Sequence, residues 1–333
     1  MNNSISRRRL LGMTAASTAA ALLPLANANA QDLPSALRLL SGFPPGGTAD
    51  TISRWVGEKL TGTVAKSAVV ENRAGAGGRM AIEVLKGTPA DGLTMLLTPS
   101  STVTMYPYVY QKLSYDPLTD LTPVSQVCDF VHALAVGPGV PTSVRNLQDF
   151  VAWCKANPDR ANCGNTGDGS MPHFLTIMLS RSVGTKIEPV PYKGTGPSIN
   201  DLLAGQIAAV IAPEGTFSTY VAEGKIRLLA TSGEHRSRFS PNVGTFTEQG
   251  AKDVIASEWF GMFMPAKTPA DRVHKAAVAI GAAVRTEEIQ ARLAKLGMAG
   301  VGSSAEALGQ RLRSDLKFWG PIVKSSGFTP LST

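Results

Sequence analysis

Three features are scarce or absent in this 333-residue chain, and each absence excludes a class of protein. There are four histidines and three cysteines, and no spacing among them resembles a metal site. Beyond Arg7–Arg9 there is no run of lysine or arginine, and without a basic stripe or an aromatic platform nucleic-acid binding is not expected. No later segment approaches 18 consecutive apolar residues, so no membrane-spanning helix is predicted there.

The patterns of an enzyme are also missing. Ser170 lies outside the G-x-S-x-G spacing of a nucleophile elbow, and the chain has no Walker loop. The carboxylates cannot be paired from sequence, and the histidines are scattered, at His132, His173, His235 and His274. We therefore predict a protein that is not an enzyme and that needs no cofactor.

The first thirty residues have the pattern of an export signal. Paired arginines in the segment 6–11 precede an Ala/Leu-rich stretch, and Ala28-Asn29-Ala30 provides a small-x-small cleavage pattern. We predict a twin-arginine signal peptide over residues 1–30, cleaved after Ala30, and a soluble mature chain in the periplasm; an uncleaved signal anchor is the alternative. Cleavage removes three arginines and no acid, which lowers the formal charge from +7 to +4. A small positive charge suits an anionic small molecule.

The remaining chain alternates strand-like apolar runs with helical patterns. This alternation predicts an α/β fold with a parallel sheet covered by helices on both faces. Strands are predicted over residues 36–41, 68–71, 94–98, 161–164, 187–191, 207–212 and 226–231, and helices over 50–60, 144–156, 172–183, 197–204, 217–223 and 305–323.

Two longer extended segments, 122–136 and 254–265, interrupt this alternation and bracket a middle block. A chain that crosses into a second domain and later returns would have this pattern. We predict two lobes joined by two crossing strands, with lobe 1 formed by residues 31–130 plus 255–333 and lobe 2 by residues 131–254.

The cysteines leave two alternatives open. Cys154 is predicted near the end of a helix and Cys163 on the following strand, so in an oxidising compartment their side chains either form a disulfide or remain buried free thiols. Cys128 is expected in the core.

Four polar loops follow predicted strands, which is where open α/β sheets bind ligands. The first, residues 43–50, contains two prolines and two glycines and is either a ligand loop or a glycine-rich connector. As a ligand loop, it would point the amides of Gly47, Thr48 and Ala49 outward at a helix N-terminus, where a carboxylate or phosphate can bind. Asp50 either accepts a hydrogen bond from a ligand or favours the first helical turn.

The other three loops offer similar groups. Residues 162–173 supply hydroxyl, amide and backbone donors, and residues 100–102 supply hydroxyls. In residues 191–197, Lys193 either faces an anion or is solvated. Two loops come from each predicted lobe, so a cleft between the lobes is the expected binding site.

A series of motifs in a fixed order supports this interpretation. They occupy residues 43–50, 70–78, 90–92, 115–117, 190–194, 201–206 and 259–261, the last followed by Thr268-Pro269. Over residues 36–328 the chain resembles Bug-type extracytoplasmic solute receptors, the substrate-binding components of tripartite tricarboxylate transporters. The resemblance implies a periplasmic-binding-protein fold (type II-like) of two Rossmann-like lobes that close on a ligand.

In such receptors, backbone amides and ordered waters hold the ligand carboxylate. Carried over by position and joined to the loops above, the predicted ligand-binding residues are Phe43, Pro45, Gly46, Gly47, Thr48, Ala49, Asp50, Ser100, Ser101, Asn165, Thr166, Gly167, Gly169, Ser170, Lys193, Gly194, Thr195 and Glu214. His173 matches a family position and serves either contact or packing. Glu214 departs from the family pattern. If it faces the cleft, it would disfavour a second ligand carboxylate and favour an amine. Otherwise it is solvated.

The sequence thus predicts a monomeric, non-catalytic receptor. Its ligand would be a small carboxylate-bearing metabolite (a dicarboxylate, an amino acid or an aromatic acid), and its partners the membrane subunits of a tripartite transporter. The alternatives are a ligand sensor that presents to a two-component kinase, and an exported enzyme on the same fold.

Overall fold

A computed structural model describes residues 33–332 of the protein. The predicted signal peptide lies outside the described residues. Within them, no helix is both long and apolar enough to cross a membrane. The described strands are β1 (Leu37–Ser41), β2 (Ala68–Asn72), β3 (Thr94–Pro99), β4 (Leu121–Val136), β5 (Asn162–Asn165), β6 (Glu188–Pro191), β7 (Ala209–Pro213), β8 (Arg227–Thr231), β9 (Ser257–Pro265) and β10 (Ala299–Gly300).

The helices occur between the strands and form most of the C-terminal part. They are α1 (Thr48–Leu60), α2 (Arg79–Lys86), α3 (Ser100–Thr104), α4 (Tyr106–Val109), α5 (Leu147–Ala156), α6 (Met171–Ser182), α7 (Thr195–Leu203), α8 (Ser218–Ala222), α9 (Ala270–Val284), α10 (Glu287–Ala294) and α11 (Ala305–Ser325). Short 3₁₀ turns occupy Ala76–Gly78, Pro158–Arg160 and Glu214–Phe217.

The strands form one ten-stranded sheet in the order β2-β1-β3-β9-β4-β7-β5-β6, with β8 and β10 also paired to β4. The α/β alternation is confirmed, but the sheet is mixed, whereas a parallel sheet was predicted. β9 runs antiparallel to both β3 and β4, and β4 runs antiparallel to β7. The two long segments predicted as crossing strands are β4 and β9, which pair antiparallel at the centre of a mixed sheet.

β4 connects the two parallel parts of the sheet. At about 3.3 Å per residue its 16 residues span roughly 50 Å, enough to pair with different partners at its two ends. Residues Leu121 to Val131 pair with β9, and residues His132 to Val136 pair with β7. The change of partner falls between Val131 and His132.

The core is divided among several clusters of buried side chains. Leu39, Ile52 and Val56 belong to a cluster that joins β1 to α1, whereas Phe150 and Phe174 belong to one that covers β5 and β7. This second cluster also contains residues from outside the middle block, namely Met105, Val109, Trp319 and Val323. The region around α4 and the end of α11 thus pack onto the middle block, although both lie outside it in sequence.

Two elements begin at residues other than those predicted. The helix predicted from residue 144 begins at Leu147, because the side chain of Asn146 accepts a hydrogen bond from the amide of Asp149 and caps the first turn. The strand predicted from residue 207 begins at Ala209.

Candidate functional site

The sheet register brings the carboxyl ends of the parallel strands toward one stretch of β4. Pro99, the last residue of β3, pairs with Phe260 of β9, and Ser257 at the start of β9 pairs with Val131 of β4. From the other part of the sheet, Pro213 at the end of β7 pairs with His132. Loops from both parts therefore approach the middle of β4.

In the first loop, Asp50 holds the backbone in place. Its buried carboxylate accepts hydrogen bonds from the Gly46 amide at 2.9 Å, from Arg54 at 2.9 and 3.0 Å, and from the Asn72 side chain at 2.9 Å. The hydrogen bond from Arg54, with help from Gly46 and Asn72, lowers the pKa of Asp50 to about 2, against an opposing effect of burial. Both oxygens are occupied within the protein, so Asp50 positions the loop.

The N-terminus of α1 keeps unused donors. Gly47 precedes the helix and provides no side-chain cap, and the first intrahelical bond runs from the Thr51 amide to the Gly47 carbonyl. The amides of Thr48 and Ala49 therefore have no acceptor within the helix. The Gly47 amide was predicted to point outward as well, but it donates to the Pro44 carbonyl at 3.1 Å.

The glycine-rich turn after β2 packs against this loop. A Cβ atom on Gly42 would lie 2.7 Å from the backbone of Gly78, and one on Gly78 would lie 3.2 Å from the Phe43 ring. Asn72 links the two segments, because its side chain donates both to the Phe43 carbonyl at 3.0 Å and to Asp50. The segment 70–78 thus braces the loop after β1.

The loop after β5 uses several of its predicted donors internally. The Ser170 hydroxyl caps α6 by accepting from the His173 amide, and His173 Nδ1 accepts from the Gly169 amide at 3.2 Å. Asn165 is fully buried; its Oδ1 accepts from the Gly167 amide at 3.0 Å, whereas its Nδ2 has no partner among the described residues. Asn165 therefore offers a donor, while Ser170 and Gly169 shape the loop.

His173 packs against aromatic side chains. Its ring lies against Phe174 and Phe328, with centroid distances of 5.6 and 5.5 Å. Burial lowers the pKa of His173, against an opposing effect of Asp168, so the ring is neutral at pH 7. Of the two roles considered for His173, the contacts favour packing.

The remaining predicted residues differ in accessibility. Ser100 is buried, and its hydroxyl accepts from the Trp259 amide at 3.4 Å, whereas Ser101 is partly exposed. Lys193 is exposed beside Gly194, which precedes α7 with φ +99° and no side-chain cap. The others, Pro45, Thr166 and Thr195, are exposed or partly exposed.

Glu214 is buried and contacts a residue outside the glycine-rich loops. Its carboxylate accepts a hydrogen bond from Ser240, and its Oε2 is buried without a partner among the described residues. The next residue, Gly215, is pressed against the carbonyl of Leu296, which a Cβ would approach to 2.0 Å. Glu214 is thus buried rather than solvated.

The cysteines are free thiols, so the disulfide considered between Cys154 and Cys163 is absent and the alternative of buried thiols is the one observed. Both residues, and Cys128, are buried. Burial raises the pKa of Cys154 and Cys163 to about 12, which leaves them protonated and inert. Over residues 33–332, no group of three or more His, Cys, Asp or Glu residues could hold a metal ion.

Sequence reasoning missed Arg54, His132 and Glu258. Arg54 stands four residues after Asp50, a helical spacing that could have indicated an ion pair. His132 and Glu258 are 126 positions apart, and only the pairing of β4 with β9 brings them together. No local signal identifies such a pair.

This fold, with polar loops gathered at the ends of two sets of strands, is that of a solute-binding receptor. Residues 52–328 match the family described as "Tripartite tricarboxylate transporter family receptor", and the chain belongs to this family. It is 30% identical to protein BugT of Bordetella pertussis over 292 residues, which cover 87% of this chain and 89% of that protein. The resemblance to Bug-type receptors is confirmed.

Two solved structures share the fold. Rpa4515 of R. palustris with adipate is 26% identical with a TM-score of 0.81, and the match covers 90% of this chain and 100% of that one. MatC of Rhodopseudomonas palustris with bound malate is 25% identical with a TM-score of 0.76, covering 87% of this chain and 99% of that one. The predicted periplasmic-binding-protein fold is therefore confirmed.

Proposed function

We propose that the protein captures a small carboxylate-bearing metabolite between the loops after β1 and β5 and delivers it to a tripartite tricarboxylate-type transporter. The observation that carries this proposal is the uncapped N-terminus of α1, whose Thr48 and Ala49 amides lack intrahelical acceptors. Free amides and the helix dipole together favour an anion. The bound adipate and malate in the two related structures are both carboxylates.

The donor groups of the proposed site come from both parts of the sheet. Thr48 and Ala49 follow β1, and the unpartnered Nδ2 of Asn165 ends β5. The remaining predicted residues then shape the loops or line the cleft. A ligand that bridges the two parts would favour a closed arrangement of residues 31–130 plus 255–333 against residues 131–254, and the membrane subunits would dock on that closed form.

The receptor would act in the periplasm. An export signal over residues 1–30 and membership of a transporter-receptor family support this location. A mature chain that begins at Gln31 is the form we expect after cleavage.

The substitution Thr48→Pro tests the amide directly. Thr48 is the first residue of α1, where proline is tolerated, and Gly47 has φ −70° and ψ 165°, which suits a residue before proline. The change removes one N–H and keeps the helix. After a thermal-shift screen of dicarboxylates, amino acids and aromatic acids identifies a ligand, isothermal titration calorimetry should show affinity reduced about 10- to 100-fold, the range for one hydrogen bond to a charged group.

Two controls separate the amide from the helix. Thr48→Ala keeps the amide and should lose less affinity than Thr48→Pro. Glu287→Pro places proline at the first residue of α10, after Thr286 with ψ 142°, and should leave affinity unchanged. Equal binding by wild type and Thr48→Pro would refute the proposed carboxylate site.

A further inference from the structure

A buried acid and a buried histidine meet where the two parts of the sheet join. Glu258 Oε2 lies 3.4 Å from His132 Nε2, and their side chains are 9% and 1% exposed. Glu258 pairs in register with Phe130, and His132 pairs with Pro213 at the end of β7. The pair thus occupies the stretch of β4 toward which both sets of loops converge.

The side chain of Glu258 lies on the face of the sheet that carries α1. Side chains alternate along β9, so Glu258 and Phe260 share a face, while Trp259 points to the opposite one. Phe260 packs in the same cluster as Ala49, at the start of α1, and Phe43. Phe130 stacks on Phe260 with ring centroids 5.7 Å apart and lies at the same distance from the His132 ring. The cluster that packs α1 against the sheet therefore reaches the His132 ring through Phe130.

Glu258 offers hydrogen-bond acceptors beyond its contact with His132, since a carboxylate has about four acceptor positions. His132 Nδ1 is buried and has no partner among the described residues. Within that part of the chain, His132 is the one side chain in bonding range of the Glu258 carboxylate.

The loops after β1 and β5 supply donors. The amides of Thr48 and Ala49 have no acceptor within α1, and the Nδ2 atom of Asn165 has no partner among the described residues. A ligand that contacts both these donors and Glu258 carries a carboxylate at one end and an N–H or O–H donor at the other. A second carboxylate beside Glu258 would meet like charge, at considerable cost in a buried site.

We propose that Glu258, held beside His132, determines specificity by accepting a hydrogen bond from an amino or hydroxyl group of the ligand, distal to its carboxylate. The ligand class is then an amino- or hydroxy-substituted acid rather than a simple dicarboxylate. This inference rests on the proposed function, because it takes the carboxylate to be bound at α1.

Matched acids of equal chain length test the inference without any mutation. The probes are 4-aminobutyrate and 4-hydroxybutyrate against succinate, and 6-aminohexanoate against adipate, each measured by isothermal titration calorimetry. The wild type should bind an amino or hydroxy acid at least about tenfold more tightly than the dicarboxylate of the same length. A preference for the dicarboxylates would overturn the inference.

The substitution Glu258→Gln then tests the residue. The amide removes the charge and adds an N–H donor, so the preference for amino over dicarboxylic acids should fall at least about tenfold. Glu188→Gln, at an exposed position of β6, removes a carboxylate from the same chain and should leave the preference unchanged. Circular dichroism and the melting temperature report whether each variant folds; if Glu258→Gln does not, the wild-type series decides alone.

Thr48→Pro separates this inference from the proposed function. It should weaken every bound probe to a similar extent, whichever its distal group. If Thr48→Pro weakens binding while Glu258→Gln leaves the preference unchanged, only the inference on Glu258 is wrong. If the wild type binds none of the probes, or Thr48→Pro weakens none of them, the proposed function fails as well.

Discussion

At the scale of single residues, buried polar groups divide into those that build the site and those left for a ligand. Asp50 is the clearest example of a residue that positions the loop, because four hydrogen bonds from three residues fill both of its oxygens. Asn165 Nδ2 and His132 Nδ1 are buried and lack partners in residues 33–332. Since an unpaired buried polar group is costly, a group that stays unpaired beside a cleft is a candidate for ligand contact.

Asp50→Asn should weaken binding of every carboxylate, because Asp50 acts through the loop rather than on the ligand. It should also destabilise the fold by about 1–2 kcal/mol at neutral pH, a figure reduced for the exposure of Arg54. The pKa of Asp50 is about 2 in the folded state, against an ordinary value of 3.8. Its stabilising effect is therefore fully present above pH 3.8 and is lost as pH falls through 2.

Chemical denaturation of wild type and Asp50→Asn between pH 7 and pH 2 measures this difference. The two unfolding free energies should converge toward the acid end of the range. A constant difference across the range would show that the ionised carboxylate of Asp50 contributes nothing. Loss of binding for amino acids alone would show direct contact with the ligand.

At the scale of elements, the loop after β1 depends on a turn that belongs to another segment. Residues Gly75 to Gly78 all have positive φ, including Ala76 at 48°, and this turn lies directly against Gly42. With the Gly78 backbone this close, there is no room for a side chain at position 42. The geometry of the α1 N-terminus is therefore set jointly by β1, β2 and the turn that follows β2.

Gly42→Ala should displace this loop. The added Cβ would lie 2.7 Å from the Cα and carbonyl oxygen of Gly78, so backbone must move, with an expected loss of about 1–3 kcal/mol in stability and a weaker ligand affinity. Gly87→Ala is the matched control, because its Cβ meets the nearest atom at 3.6 Å and its φ is −84°. Equal melting temperatures and affinities for the two variants would contradict this role of Gly42.

At the scale of the whole molecule, sequence patterns predicted the α/β alternation and the polar loops because both are local. The helix α1 and its preceding loop could be predicted from one apolar strand, two glycines and a helical period within residues 36–60. The direction of β9 could not be predicted, because pairing partners are set by tertiary packing. The Glu258–His132 contact depends on that pairing, and the Gly42–Gly78 contact on packing between separate segments.

The central claim, that a small carboxylic acid occupies the site at α1, is tested most directly by native mass spectrometry. The mature protein would be purified without refolding, sprayed intact and then denatured to identify any released small molecule, with Thr48→Pro prepared in parallel. We predict a carboxylic acid on the wild type and a reduced occupancy on Thr48→Pro. A wild-type protein that carries no acid and is not stabilised by any acid in a thermal-shift screen would contradict the account.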